Sequence, residues 1–234
     1  LFKRRAQEIV ALSEKTKRDF IRGNRELSGE IGIGCGEFRS IQIIAQIMKE
    51  FKKEHPFVTF QIYSGNSSNI KERIESGILD IGVILDYVDI RKYEYVRIPL
   101  SEEWGVLVRE DSPLAVMEYV TPEDIRELPL IISERSMRDN ELADWIGKKY
   151  EDLNIVSTYN LMYNAAIMVA NGMGVAGCIK LDCRYEGTRF VPARPSVKNN
   201  SVFAWKKALS QSQAVSSFIE FSRIYIKRIS SNTT

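Results

Sequence analysis

What most constrains this chain is a strand–helix grammar that starts at Gly29 and repeats. Gly29-Glu30-Ile31-Gly32-Ile33-Gly34-Cys35-Gly36 is a short apolar strand ending in glycines. An amphipathic stretch over 38–54 follows, with Ile41, Ile44, Ala45, Ile47, Met48 and Phe51 on one face. His55-Pro56-Phe57-Val58 opens a second strand, and Asn66, Ser67 and Ser68 lead into a helix over 67–76 with Ile70 and Ile74 inward. Gly77–Leu85 reads as a third strand. Apolar runs joined by helices at this spacing predict an α/β fold with a parallel sheet. Such sheets place ligands at the carboxyl ends of their strands, where helix N-termini offer free N–H groups.

The rest of the chain repeats the grammar. Tyr95–Leu100 and Glu103–Val108 read as two consecutive strands with no helix between them, a place to change sheets. Thr121-Pro122-Glu123-Asp124 starts a helix, with Thr121 as its N-cap. Pro129–Ile132 and Ile155–Thr158 are strands. Asn160 is read as the cap of a helix bearing Met162, Ala165, Ala166 and Val169, which Asn171-Gly172-Met173-Gly174 stops. Val175–Ile179 and Val202–Trp205 are strands, and Val215, Phe218, Ile219, Ser222 and Ile226 mark a last amphipathic helix. Two αβ sets with a returning strand and helix predict two Rossmann-like lobes joined by two crossing strands. The expected division is 29–100 with 206–230 as lobe I and 101–205 as lobe II, with one continuous sheet as the alternative.

Residues 2–27 read as one long helix whose narrow apolar stripe includes Phe2, Ile9, Leu12 and Phe20. A stripe of that kind needs a partner, either the chain's own body or a second copy as in a two-helix seam. Residues 1–28 thus form a linker or dimerisation segment. It carries eight basic and four acidic side chains, a net +4 within a chain of net +2, so the remaining body is net −2. That body is not a basic nucleic-acid surface.

Three cysteines (Cys35, Cys178 and Cys183) and one histidine, His55, lack metal-ligand spacing. The cysteines are expected to be small buried residues of a reducing compartment, with a Cys178/Cys183 redox switch as the lesser reading. No nucleophile elbow, dinucleotide fingerprint or metal cluster is present, which argues against an enzyme. No cofactor is expected.

Four stretches resemble the LysR-type transcriptional regulators: Phe2-Lys3-Arg4-Arg5-Ala6-Gln7-Glu8-Ile9-Val10; Gly29-Glu30-Ile31-Gly32-Ile33-Gly34 with His55-Pro56-Phe57-Val58; Glu75-Ser76-Gly77-Ile78-Leu79-Asp80-Ile81-Gly82-Val83; and Val169-Ala170-Asn171-Gly172-Met173-Gly174-Val175-Ala176. Trp205-Lys206-Lys207 also fits. The resemblance implies a regulatory fragment that lacks the family's N-terminal DNA-binding domain. It implies a type 2 periplasmic-binding-protein-like fold, with a small-molecule effector in a cleft between two lobes. It also implies a cytoplasmic homodimer or homotetramer that touches DNA only through the missing domain.

Carried over by position, the resemblance points to Gly36, Glu37, Phe38 and Arg39 after the first strand, to Asn66, Ser67 and Ser68, to Asp86, to Ser133 and Arg135, and to Asn160, Leu161 and Met162 as ligand contacts. Phe38 and Leu161 stand where the family often has a hydroxyl. Glu37 is either a helix-start carboxylate or a group that discourages an anion or greets an amine. Ser67 is either a helix cap or a ligand contact. Arg135 is either a carboxylate partner, which its planar fork suits, or a solvated arginine. A transport-type solute receptor is the competing function.

Overall fold

The computed structural model describes residues 6, 9, 10, 13, 27–85, 90–134, 141–207 and 211–231. In chain order the strands are β1 (Gly29–Cys35), β2 (Val58–Ser64), β3 (Ile81–Leu85), β4 (Tyr93–Arg109), β5 (Leu130–Ser133), β6 (Ile155–Tyr159), β7 (Val175–Ile179), β8 (Thr188–Pro192) and β9 (Lys198–Lys206). The helices are α1 (Ile41–Glu54), α2 (Ser67–Glu75), α3 (Pro122–Ile125), α4 (Glu141–Ile146), α5 (Met162–Ala170) and α6 (Gln213–Ser231). These elements divide into two compact units. The first takes in the chain through Gly36, then Ser40–Leu100, then the chain from Asn200; the second takes in Glu37–Arg39 and Ser101–Asn199. β4 and β9 each run from one unit into the other.

In the first unit the strands are ordered β2-β1-β3-β9-β4. β1 pairs in parallel with β2 and β3, and β9 runs antiparallel to β3. Every residue of β3 is buried, as expected of a strand covered on both faces. Phe51 of α1 and Phe218 of α6 stand edge to face, 5.0 Å apart, and Phe60 lies 4.9 Å from Phe218. A second cluster gathers Ile70 and Ile74 of α2 with Leu79, Ile84 and Tyr93. The helix predicted from residue 38 starts at Ile41, after Ser40 at its cap position; Glu37 and Arg39 instead bond to Met162, Glu102 and Asp182. Ala45, predicted inward, is exposed; Ile44, Ile47 and Phe51 carry the buried face.

The Glu75–Asp80 stretch has a physical explanation. Gly77 at φ 75° ends α2: its N–H donates to Ile74 O at 3.1 Å, and the Ile78 N–H donates to Arg73 O at 2.9 Å. These are the paired bonds of a Schellman motif, which favours glycine at the left-handed position. α5 ends the same way. Gly172, at φ 78°, donates to Val169 O at 2.8 Å, and Met173 donates to Met168 O at 3.1 Å.

In the second unit the strands are ordered β4-β7-β5-β6, with β8 pairing β4. β5 is parallel to β6 and β7, while β4 is antiparallel to β7 and β8. Alternating residues serve opposite faces, as the strand pleat requires. Val106, Val108, Leu130 and Ile132 pack with Leu142 and Ile146 of α4. Leu107 and Ile131 pack with Met162, Ala165, Ala166 and Val169 of α5. Thr121 and Asp124 form the expected helix start, with the Thr121 N–H donating to Asp124 Oδ2 at 2.7 Å.

Three strand readings are corrected. The strand read over Gly77–Leu85 starts only at Ile81, because Gly77–Asp80 form the turn that leaves α2. Tyr95–Leu100 and Glu103–Val108 are one 17-residue strand, β4, because Ser101 and Glu102 stay in extended pairing. β8 was not foreseen. The expected dimerisation residues Phe2, Leu12 and Phe20 lie outside the described residues, and Ile9 is helical and 69% exposed.

Candidate functional site

At the carboxyl end of the parallel strands of the first unit, the chain leaves β2 and enters α2. The Gly65 N–H donates to Cys35 O at 3.1 Å, tying this loop to the end of β1. Asn66 is extended (φ −76°, ψ 163°) and caps α2 by accepting from the Asn69 N–H at 2.9 Å. Ser67 is therefore the first helical residue and not the cap. It is 6% exposed, and its hydroxyl has no partner among the described residues. The Ser67 and Ser68 N–H groups sit in the first turn, where no intrahelical acceptor exists. Two open amides and the Ser67 hydroxyl thus lie in the first turn, at the positive end of a helix. Gly36 follows β1 and is half-buried, and Asp86 lies outside the described residues.

The second unit gathers Glu37–Arg39 with residues far along the chain. Glu37 Oε2 accepts from the Met162 N–H at 2.6 Å. The Arg39 N–H donates to Glu102 Oε2 at 3.1 Å, and Arg39 Nε donates to Asp182 Oδ1 at 2.9 Å. Glu102 is 1% exposed. Glu37 is thus a helix-start carboxylate, but for α5 and not for the helix that follows it in sequence. Asn160, predicted to cap α5, is exposed and does not do so. The cap position is Leu161, whose apolar side chain offers no acceptor, and Glu37 supplies the missing one.

Phe38 is half-buried, and Ser133 is half-buried at the end of β5. Arg135 lies outside the described residues. Sequence reasoning missed Glu102, Asp182 and Tyr185, since nothing local distinguishes them from ordinary surface polar residues. The Tyr163 and Tyr185 rings lie 6.3 Å apart. Burial, and then a hydrogen bond to Cys183, push the Tyr185 phenol well above its ordinary range, with the Glu37 charge contributing. Burial pushes the Cys178 thiol up to about 12. Among the described residues no His, Cys, Asp and Glu cluster is placed to hold a metal, and no helix is long and apolar enough to cross a membrane.

The LysR substrate binding domain description matches residues 24–225. The chain belongs to the LysR substrate-binding domain family. Relatives of this LysR domain include the uncharacterised HTH-type transcriptional regulator YfeR of Shigella flexneri, 25% identical over 173 residues, which cover 74% of this chain and 56% of YfeR. The chain spans between 49% and 60% of the length of the first curated relatives it matches. The effector-binding domain of QuiR in complex with shikimate shares the fold, with a TM-score of 0.74 at 18% identity over 86% of this chain and 99% of that one. So does the CcmR regulatory domain of Synechocystis PCC6803 in complex with 2-PG, with a TM-score of 0.67 at 13% identity over 85% and 97%. The fold class is the α/β, periplasmic-binding-protein-like architecture of these LysR domains.

Proposed function

We propose that this LysR domain binds a small-molecule effector and reports its presence to the rest of a transcriptional regulator. The observation that carries the reading is the start of α2, where Ser67 combines near-complete burial with an unused hydroxyl beside two open amides. The Ser67 hydroxyl oxygen keeps access to solvent, so a ligand group can reach it and complete its hydrogen bonding. An oxygen-rich group of a metabolite does so, and the positive helix end adds about 0.3–1 kcal/mol for an anion. Asn66 and Ser68 flank that position, while Gly36, Ser133 and Arg135 are further proposed contacts, drawn from their sequence positions.

The domain acts by binding and not by catalysis; the named relatives are regulators. In the whole regulator the DNA contact belongs to a separate N-terminal head in a homodimer or homotetramer. Effector binding there biases the assembly with a coupling of about 1–3 kcal/mol.

The test is a thermal-shift screen of amino acids, organic acids and aromatic metabolites against this chain. A hit is expected to bind saturably, and Ser67→Ala to weaken it by about 1–2 kcal/mol, roughly five- to thirtyfold. Hits indifferent to Ser67→Ala place the ligand elsewhere, and conversion of any hit to product overturns the binding-only reading.

A further inference from the structure

Asn66, Ser67 and Ser68, where α2 begins, are three consecutive residues of the types that cap helices about equally well. Local preference therefore does not choose among them. A start one residue later would make Ser67 the cap, and its hydroxyl would be spent on the Ile70 N–H. In the structure Asn66 takes the cap instead. Its side chain accepts from the Asn69 N–H at 2.9 Å, and its carbonyl accepts from the Ile70 N–H at 3.0 Å. What selects Asn66 is the packing of the loop just before it.

Tyr63 is half-buried near the end of β2. A Cβ added to Gly65 would stand 2.7 Å from Tyr63 Cε1 and 3.3 Å from its Cζ, so the ring fills the space that a side chain at 65 would need. Gly65 is not held at a positive φ; the ring, and not the backbone, is what excludes a side chain there. The ring is held in turn by α2. It packs against the cluster that includes Ile70 and Ile74, and the Arg73 guanidinium carbon lies 4.1 Å from the ring centre. The Gly65 N–H, bonded to Cys35 O at 3.1 Å, ties the same residue to β1. Gly65 is thus fixed by both a ring and a strand, and Asn66 follows directly. We propose that Tyr63 is a positioning residue of the effector site: its ring sets the start of α2 at Asn66, and so keeps the Ser67 hydroxyl and the Ser67 and Ser68 amides free for an oxygen-bearing ligand. This role rests on the effector-binding reading above.

The experiment reads two properties of the ¹⁵N-labelled chain. Sodium sulfate, titrated against sodium chloride at matched ionic strength, is followed on the Ser67 and Ser68 amide signals. Hydrogen exchange compares the Asn69 amide, which depends on the Asn66 cap, with the Ile74 amide in the body of α2. Sulfate is expected to shift both serine signals saturably in the unmodified chain and in Tyr63→Phe, which keeps the ring. Tyr63→Leu is expected to weaken that response about tenfold and to speed Asn69 exchange about tenfold, with Ile74 unchanged. Gly65→Ala is expected to do the same, because its methyl takes the space of the ring. Tyr63→Leu matching the unmodified chain in both readouts overturns the proposal. So does a Tyr63→Phe chain that behaves like Tyr63→Leu, and so does Ile74 exchange that rises as much as Asn69 exchange, which is a general loosening of α2. Sulfate that leaves the serine signals of the unmodified chain in place overturns the placement of the effector at α2; the exchange rates then decide the part of Tyr63 by themselves, so the two failures are distinguishable.

Discussion

Gly32 and Asp80 clasp each other through two reciprocal bonds. The Gly32 N–H donates to Asp80 Oδ2 at 2.8 Å, and the Asp80 N–H donates to Gly32 O at 2.9 Å. The contact joins β1 to the turn between α2 and β3, 48 residues away. It explains why the stretch after α2 reads glycine, then leucine, then aspartate. Gly77 turns the chain, Leu79 is 3% exposed in the α2 core, and Asp80 closes the loop onto β1. Asp80→Ala leaves the Gly32 N–H without its acceptor and is expected to destabilise the domain by about 1–3 kcal/mol in urea unfolding. A loss near zero would mean the clasp is incidental.

The two glycines after α5 do different work, and their substitutions separate the mechanisms. Gly172 needs its positive φ of 78°, so Gly172→Ala is expected to lose about 1–2 kcal/mol of stability. Gly174 needs closeness: an added Cβ would stand 2.4 Å from Pro129 O, a backbone atom of the segment entering β5. Gly174→Ala must therefore push backbone apart and is expected to lose roughly 3 kcal/mol or more. Thermal unfolding of both variants checks the order; Gly174→Ala at or below the Gly172→Ala loss would contradict it.

Glu75 gives the domain a pH dependence of known sign. The Tyr93 hydroxyl donates to Glu75 Oε1 at 2.8 Å, and Lys206 Nζ lies 3.2 Å from Oε2. The Tyr93 hydrogen bond, followed by the Lys206 contacts, holds the Glu75 carboxyl below its ordinary 4.5. A folded pKa below the unfolded one contributes stability that is fully present above about pH 4.5 and is lost as pH falls through the lower folded value. Tyr93→Phe is expected to remove about 1–2 kcal/mol at pH 7 and progressively less below pH 4. A difference that is the same at pH 7 and pH 3 would rule out Glu75 as its source.

The cysteines differ in reactivity because they differ in exposure. Cys35 and Cys178 are buried, and Cys183 is exposed. Burial pushes the Cys178 thiol up to about 12, far from the thiolate needed for reaction. A thiol-specific chromogenic reagent at pH 8 is expected to label about one cysteine per folded chain, and all three only after denaturation. Rapid labelling of Cys178 in the folded chain would contradict the burial argument.

Much of the fold was legible because apolar spacing is local. The parallel strands, the buried faces of α2 and α5 and the glycine stops all follow from residues within a turn or two of each other. What was not legible depends on partners far away in sequence. Nothing in Tyr93–Arg109 announces one unbroken strand, because the polar residues Ser101 and Glu102 sit inside it. At the candidate site, Ser67 was picked out by position. Its neighbour Asn66 turned out to hold the cap, which is what leaves the Ser67 hydroxyl unused. Glu37 was read with two alternatives open, and its contact with Met162 spans 125 residues. Asn160 reads as a cap because asparagine is a strong local cap, whereas here a distant carboxylate supplies the acceptor.

The most direct measurement is a crystal structure of this LysR domain with a hit from the metabolite screen. The account predicts a polar ligand group about 3 Å from the Ser67 hydroxyl and the Ser67 and Ser68 amides. A ligand bound elsewhere, with that end of α2 still open, would contradict it.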